Sequence, residues 1–260
     1  LNIFKKLKKV DYTSVKNIKV FGPNYSSPLE WNYLNTKRKF GAVIKNDVVL
    51  KIIEEQLKDI KQYDSFVNNT RCNDFERTLY LENKKFIKTH LVLSADGKNS
   101  YLRKLLSIKT LNKNSKHVAI SGFLEQSKNH NSVAIQAFTN IGPIGILPYE
   151  NKNLVNFVLS IEKIKFNNLL SKDNPEYFIC NELNKFFTHI DLNYRPIKKI
   201  NNIENKLSYW DLNLNLVLNP TSSRAVLIGD AAHSIHPLAG QGLNLSLRDC
   251  VSALKAIENC

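Results

Sequence analysis

The sequence predicts an α/β layer interrupted by an antiparallel, β-rich insert, and three observations carry that prediction. Twice an apolar strand runs into a Gly/Asp turn and then a helix: Thr89–Ala95 before Tyr101–Leu106, and Arg224–Ile228 before a long helix starting near Gln241. Between them, from Lys116 to Ser160, lie short apolar or alternating runs, the pattern of paired strands. With 260 residues, 43% hydrophobic and 23% charged, the chain can bury one large core or two smaller ones, and it is not a disordered polymer.

Asn17–Phe21 and Lys39–Ile44 read as strands, with the turn formers Gly22-Pro23-Asn24 and Ser26-Ser27-Pro28 between them. Asn46 reads as the cap of an amphipathic helix carrying Val48, Val49, Ile52, Ile53 and Leu57 at helical spacing. Ser65–Asn68 and Arg77–Leu81 are short strands, and Thr89–Ala95 is apolar enough to suggest burial on both faces. The insert's strands are His117–Phe123, Val133–Phe138, Ile144–Pro148 and Leu154–Ser160. A helix is expected at Pro175–Phe187, capped by Asp173 or Asn174, and strands resume over Ser208–Val217. In the terminal helix Leu243, Leu247, Val251, Leu254 and Ile257 share one face. The expected domains are residues 42–110 with 217–260 in the α/β layer, and residues 1–41 with 111–216 in the β-rich part.

The net charge is +14, from 37 Lys and Arg against 23 Asp and Glu. Only 7 of those bases are Arg, while Lys numbers 30 and Asn 33. A phosphate-gripping surface would draw on Arg, whose planar fork matches phosphate oxygens. Scattered Lys among Asn reads as solvated surface, so no nucleic-acid partner is expected, and a basic face near an anionic membrane stays open. No apolar run approaches the roughly 20 residues of a membrane-spanning helix, and Leu1–Lys9 shows no leader-like apolar stretch. Cys72, Cys180, Cys250 and Cys260 never form a C-x-x-C pair and read as reduced thiols of a cytosolic protein. The absence of Met, and a last residue inside a helical pattern, read as the middle of a longer protein.

The most informative stretch is Val226-Leu227-Ile228-Gly229-Asp230-Ala231-Ala232-His233, followed by His236-Pro237-Leu238-Ala239-Gly240-Gln241-Gly242-Leu243-Asn244. A buried strand delivers Gly229-Asp230 to its carboxyl end, where open α/β sheets bind ligands. Asp230 can accept hydrogen bonds from ligand hydroxyls, and the small residues around it admit a large ligand to the backbone. The loop then opens a helix whose first amides are unpaired and can stabilise negative charge. His233 and His236 sit in a Pro-containing loop with no third ligand in reach, so no metal is expected.

This run resembles the signature of class A FAD-dependent aromatic hydroxylases. His236–Asp249 is similar in particular to the ubiquinone-biosynthesis branch, which usually has Gly where this chain has Ser246. That substitution puts close packing of the helix in question. The resemblance implies that Asp230 holds the flavin ribityl chain, and that backbone from Gly240 to Asn244 faces the pyrimidine end of the ring. A second run, Ser94-Ala95-Asp96-Gly97-Lys98-Asn99-Ser100-Tyr101-Leu102-Arg103, resembles the family's Asp-Gly motif, which serves FAD and NAD(P)H. Asn99 or Ser100 would cap its helix. Phe138-Thr139 with Gly142-Pro143-Ile144-Gly145-Ile146-Leu147-Pro148 is similar to strands that line the family's substrate pocket, although an ordinary hairpin core explains these residues equally well.

By resemblance, then, FAD contacts fall on Asp96, Gly97, Ser100 and Arg103 and on Gly229, Asp230, Pro237, Gly240, Gln241, Gly242 and Asn244, with Phe138, Leu147 and Pro148 at the substrate. The implied fold is an incomplete Rossmann-like FAD-binding domain with an antiparallel β-sheet substrate domain. None of the 9 glycines forms the Gly-x-Gly-x-x-Gly that opens the family's first βαβ unit, so weak or no FAD binding and no activity are expected of this fragment alone. The implied activity is hydroxylation of an aromatic ring, a polyprenylated phenol, with NAD(P)H and O2. The flavin drives it, and no side chain is nominated as acid or base. A same-fold reductase, a non-catalytic remnant and a basic binding module are the alternatives. The expected location is cytoplasmic or peripheral on the inner face of the membrane, with association among enzymes of the ubiquinone pathway.

Overall fold

A computed structural model describes residues 6–8, 11–23, 27–37, 40–200, 203–234 and 241–259. The chain divides into two compact units, residues 1–61 with 116–211 and residues 62–115 with 212–260.

The first unit is built on an eight-stranded sheet in the order Tyr194–Pro196, His117–Gln126, Leu154–Glu162, Gly142–Pro148, Val133–Thr139, Asn17–Phe21, Leu29–Asn32, with Ser208–Asp211 also paired to His117–Gln126. All pairs are antiparallel except Asn17–Phe21 with Val133–Thr139. One face alternates Ile144, Ile146 and Pro148 with their cross-strand partners Leu159, Phe157 and Val155, all buried. Helices Lys163–Leu170 and Pro175–Phe186 contribute Leu169, Ile179 and Leu183 to the same hydrophobic cluster. At the hairpin, Gly142 has φ +144°, and a Cβ there would lie 2.0 Å from the Ser160 carbonyl oxygen, so only glycine closes this turn.

The second unit has a meander Val67–Cys72, Arg77–Leu81, Phe86–Thr89 and a parallel pair, Val92–Ser94 with Ala225–Leu227. A third small sheet joins His233–Ser234, Leu214–Val217 and Thr110–Lys113. Its hydrophobic cluster is small: Val217, Leu227, Ala231 and Ala232, backed by Leu106 and Ile108. Arg77, 4% exposed, donates from its guanidinium to the Ser223 carbonyl and to Thr70 Oγ1, stitching the meander to the neighbouring hairpin.

Several expectations change. Residues 42–61 group with the β-rich unit, because Gly41–Ile44 pairs with Tyr12–Val15. The other divisions between the units fall at 115/116 and 211/212. Asn46 is the first residue of its helix, and Lys45 occupies the cap without a side-chain bond. Thr89–Ala95 shortens to Val92–Ser94, and Leu93 is 44% exposed: the strand is the edge of its sheet, and no layer among the described residues covers that face. Ser208–Val217 splits into Ser208–Asp211 and Leu214–Val217, which belong to different sheets.

Candidate functional site

Both motif turns leave the same end of the parallel pair. Ser94 sits opposite Leu227, and the Ile228 N–H extends the ladder to the Ser94 carbonyl at 2.9 Å. The first turn then reverses at Gly97 (φ +82°) and enters the short helix Tyr101–Leu105. Ser100, fully buried, is its cap and accepts from the Arg103 N–H at 3.0 Å. Asp96 spends its carboxylate on the same helix start, accepting from Ser94 Oγ at 2.6 Å and from the Leu102 N–H at 3.1 Å. Burial acts to raise its pKa, but hydrogen bonds from Ser100, Ser94 and the Leu102 amide outweigh that and hold the carboxyl below its ordinary value.

Arg103 joins the two turns. Its buried guanidinium donates to the Lys98 carbonyl of the first turn and to the Ala231 carbonyl of the second, each at 2.8 Å. Ser100, expected as a cofactor contact, is fully buried, and Arg103, expected likewise, commits donors to backbone on both sides. Asn215, also buried, adds a 3.4 Å bond to the Lys98 carbonyl.

The second turn, Gly229–Ala231, is held at nearly every residue. The Gly229 N–H donates to Asp249 Oδ2 at 2.8 Å, the Gly229 carbonyl accepts from the Ala232 N–H at 2.9 Å, and the Ala232 carbonyl accepts from the Val217 N–H at 2.9 Å. Gly229 has φ +60°, and a Cβ on it would lie 2.9 Å from Ser246 Oγ. Ser246 in turn donates to the Gly242 carbonyl one helical turn back. The packing questioned at Ser246 is therefore kept, because Gly229 carries no side chain to meet it. His233, which the sequence leaves without a metal partner, donates from Nε2 to the same Asp249 oxygen at 2.8 Å.

Asp230 is the exception to all this tethering: it is exposed, and its carboxylate has no partner among the described residues. The backbone beside it is open, since a Cβ on Gly97 or on Gly242 would meet nothing within 4 Å. Asn244 is exposed on the first turns of the terminal helix Gln241–Glu258, where with Leu245, Leu247 and Arg248 it lines a shallow cavity of about 330 Å³. Pro237 and Gly240 lie outside the described residues, as does the side chain of Gln241. Beside Asp96, a larger apolar cavity of about 650 Å³ is lined by Phe66, Val67, Leu79, Val92, Leu93 and Tyr101.

In the first unit, Phe138 and Leu147 share the open face of the large sheet. Phe138 pairs with Pro143, which has the same parity as Leu147. Pro148, by contrast, is one residue out of phase and buried on the core face, so it cannot line a pocket with them. The sequence reading missed Asp249. Its signals are its place at the end of the run His236–Asp249 and a position deep in the helix, too far from the first turn to serve the dipole.

The chain is similar to known flavoproteins. Residues 56–259 match the model of a family described as "FAD binding domain". "Ubiquinone biosynthesis monooxygenase COQ6, mitochondrial" of Drosophila melanogaster is 24% identical over 282 residues, covering 96% of this chain and 59% of that protein. "Ubiquinone hydroxylase UbiL" of Rhodospirillum rubrum is 30% identical over 171 residues, 65% of this chain and 37% of that one. Among solved structures, pqsL, "a probable FAD-dependent monooxygenase from Pseudomonas aeruginosa", superposes with a TM-score of 0.72 at 15% identity, covering 95% of this chain and 69% of that one, and so shares the fold. The matches thus span 59% of the length of the first of these curated relatives and 37% of the second. With most of its length inside the family model and both motif turns assembled at one strand end, the chain belongs to the FAD binding domain family.

Proposed function

We propose that this chain is part of an FAD-dependent monooxygenase that hydroxylates the aromatic ring of a polyprenylated phenol in ubiquinone biosynthesis, with NAD(P)H and O2 as co-substrates. The observation that carries the reading is the end of the parallel pair. Two turns are clamped by one guanidinium, and one carboxylate, Asp230, is exposed, with no partner among the described residues, beside open backbone.

Those residues fit FAD. A carboxylate accepts hydrogen bonds from several hydroxyls at once, as a ribityl chain offers them. The unobstructed backbone at Gly97 and Gly242 admits a flat ring or a pyrophosphate, and the early amides of an 18-residue helix favour negative charge. Bound FAD supplies the two-electron activation of O2, so that one oxygen atom reaches an electron-rich ring carbon and the other leaves as water while NAD(P)H is oxidised. The chain's own part is to bind and orient: Asp230 anchors, residues 242–244 offset charge with their amides, and Phe138 and Leu147 give an aromatic ring apolar surface. No side chain is assigned as acid or base.

The relatives named as a ubiquinone biosynthesis monooxygenase and a ubiquinone hydroxylase support the choice of substrate class. A prenylated substrate fits a protein working at a membrane surface, and no helix among the described residues is long and apolar enough to cross one. The test uses the full-length protein with FAD, NAD(P)H, a prenylated phenol and isotopically labelled O2. One labelled oxygen atom in the product supports the proposal. NAD(P)H consumption with a saturated prenyl double bond and no label overturns it in favour of a reductase.

A further inference from the structure

We propose that Asp249 is the positioning residue of the Asp230 turn: one carboxylate oxygen gathers the Gly229 amide and the His233 imidazole, and so sets where Asp230 is presented. The inference rests on the reading of Asp230 as an FAD anchor.

The geometry is unusual for a mid-helix acid. Asp249 is the ninth residue of an 18-residue helix, too deep to serve the helix dipole, and among the described residues it pairs with nothing on its own helix. Both of its bonds, each 2.8 Å, end on the same Oδ2. A carboxylate only accepts, so His233 must carry its proton on Nε2, and the ring orientation is set by Asp249. The bond to Asp249 satisfies the Gly229 amide at the head of the turn. Gly229 has φ +60° and lies against Ser246, so a shift of this residue moves Asp230 directly. The helix therefore turns its polar positions Ser246 and Asp249 toward the turn, while Leu243, Leu247 and Val251 stay exposed. A helix oriented for burial alone would do the reverse.

The test is a cycle of FAD affinities on the full-length apoprotein, read by flavin fluorescence. Asp230→Ala should weaken binding if the anchor reading holds. If Asp230→Ala leaves affinity unchanged, the anchor reading fails, and this proposal fails with it. Asp249→Ala should weaken FAD binding about tenfold or more, through the loss of two bonds to a charged acceptor. Its effect should largely vanish in the Asp230→Ala background, because positioning matters only while there is a carboxylate to position. If Asp230→Ala weakens binding but the Asp249→Ala penalty persists undiminished in that background, Asp249 is merely structural and the proposal is overturned. Asp249→Asn, whose amide oxygen can accept both bonds, should restore most of the affinity, and failure to do so counts against the acceptor role. Should Asp249→Ala not fold, His233→Phe removes one of the two donors and is run through the same cycle. A penalty that disappears in Asp230→Ala supports the proposal, and one that persists overturns it.

Discussion

The two units hold their shape by different means. In the first, a continuous cluster from Phe21 through Phe157 to Leu183 and Phe187 fills one sheet face under two helices. In the second, the cluster is four small or medium residues, and charged side chains do the joining: buried Arg77 to Ser223 and buried Arg103 to Lys98 and Ala231, with half-buried Asp249 drawing Gly229 and His233 together. Apolar burial is strong and indifferent to direction, so it sets stability and tolerates small shifts. Hydrogen bonds weaken steeply with angle and distance, so they set position. A unit that must present a carboxylate and open backbone to a ligand needs the second kind of order. The second unit also leaves apolar surface uncovered, with Phe66 at 77% and Leu243 at 68% exposure.

The contrast can be broken most directly in the first unit. Phe157 is fully buried, and its ring lies 3.1 Å from where a Cβ on Gly122 would sit. Phe157→Ala should cost about 3–5 kcal/mol, read as a lower urea midpoint and faster amide exchange along His117–Gln126. A loss below about 1 kcal/mol would mean that this cluster does not carry the unit. In the second unit the matching change is Arg103→Met, which keeps the apolar stem and removes the guanidinium. Two carbonyls lose a charged donor, at a cost of about 2–4 kcal/mol. The signature should be local: faster exchange at the Val217 and Ile228 amides, which flank the braced turns. Unchanged exchange there would sink the view that directional bonds hold this unit.

How much of this was readable in advance follows the same division. Periodicity reports burial, so Asn17–Phe21 and Arg77–Leu81 emerge with their observed bounds, and the insert's strands within a few residues. It cannot report which faces a neighbour covers, so Leu93 in an apolar run proves half exposed. Helix Lys163–Leu170 escapes because only Phe166 and Leu169 are buried, too few to establish a helical period. Pro148 is a different kind of miss: the two-residue alternation that buries it also separates it from Leu147, and resemblance to a pocket strand overrode that rule. In the site, the motifs locate both turns, since Gly-Asp and Asp-Gly pairs after strands are local features. The roles of Arg103 and Asp249 are long-range bonds to backbone, 128 and 20 residues away, and any backbone amide or carbonyl could have been the partner.

A smaller effect probes the close approach at Gly229. Gly229→Ala should destabilise by about 1–3 kcal/mol, since the residue has φ +60° and the new methyl would sit 2.9 Å from Ser246 Oγ. Adding Ser246→Gly removes the clash but not the backbone penalty, so the double variant should recover only part of the loss, measured by thermal unfolding. Full recovery would show that the left-handed conformation carries no cost here.

The smallest expected effect lies at Asp96 and depends on pH. Its folded-state pKa is held below the ordinary carboxyl value by the Ser100 and Ser94 hydroxyls and the Leu102 amide, despite the opposing effect of burial. A depressed folded pKa means that the unfolded chain binds the proton first as acid is added. The contribution to stability is therefore complete above the ordinary carboxyl pKa, about 4, and is lost as pH falls through the lower folded value. Asp96→Asn should accordingly be less stable than wild type at neutral pH, and the gap should close on acidification below about pH 4. Because Asp96 is largely exposed, solvent screens the interaction and the gap should be modest. The useful readout is its pH dependence in thermal melts. A gap constant from neutral to acid would mean that the carboxylate's charge contributes nothing to the turn.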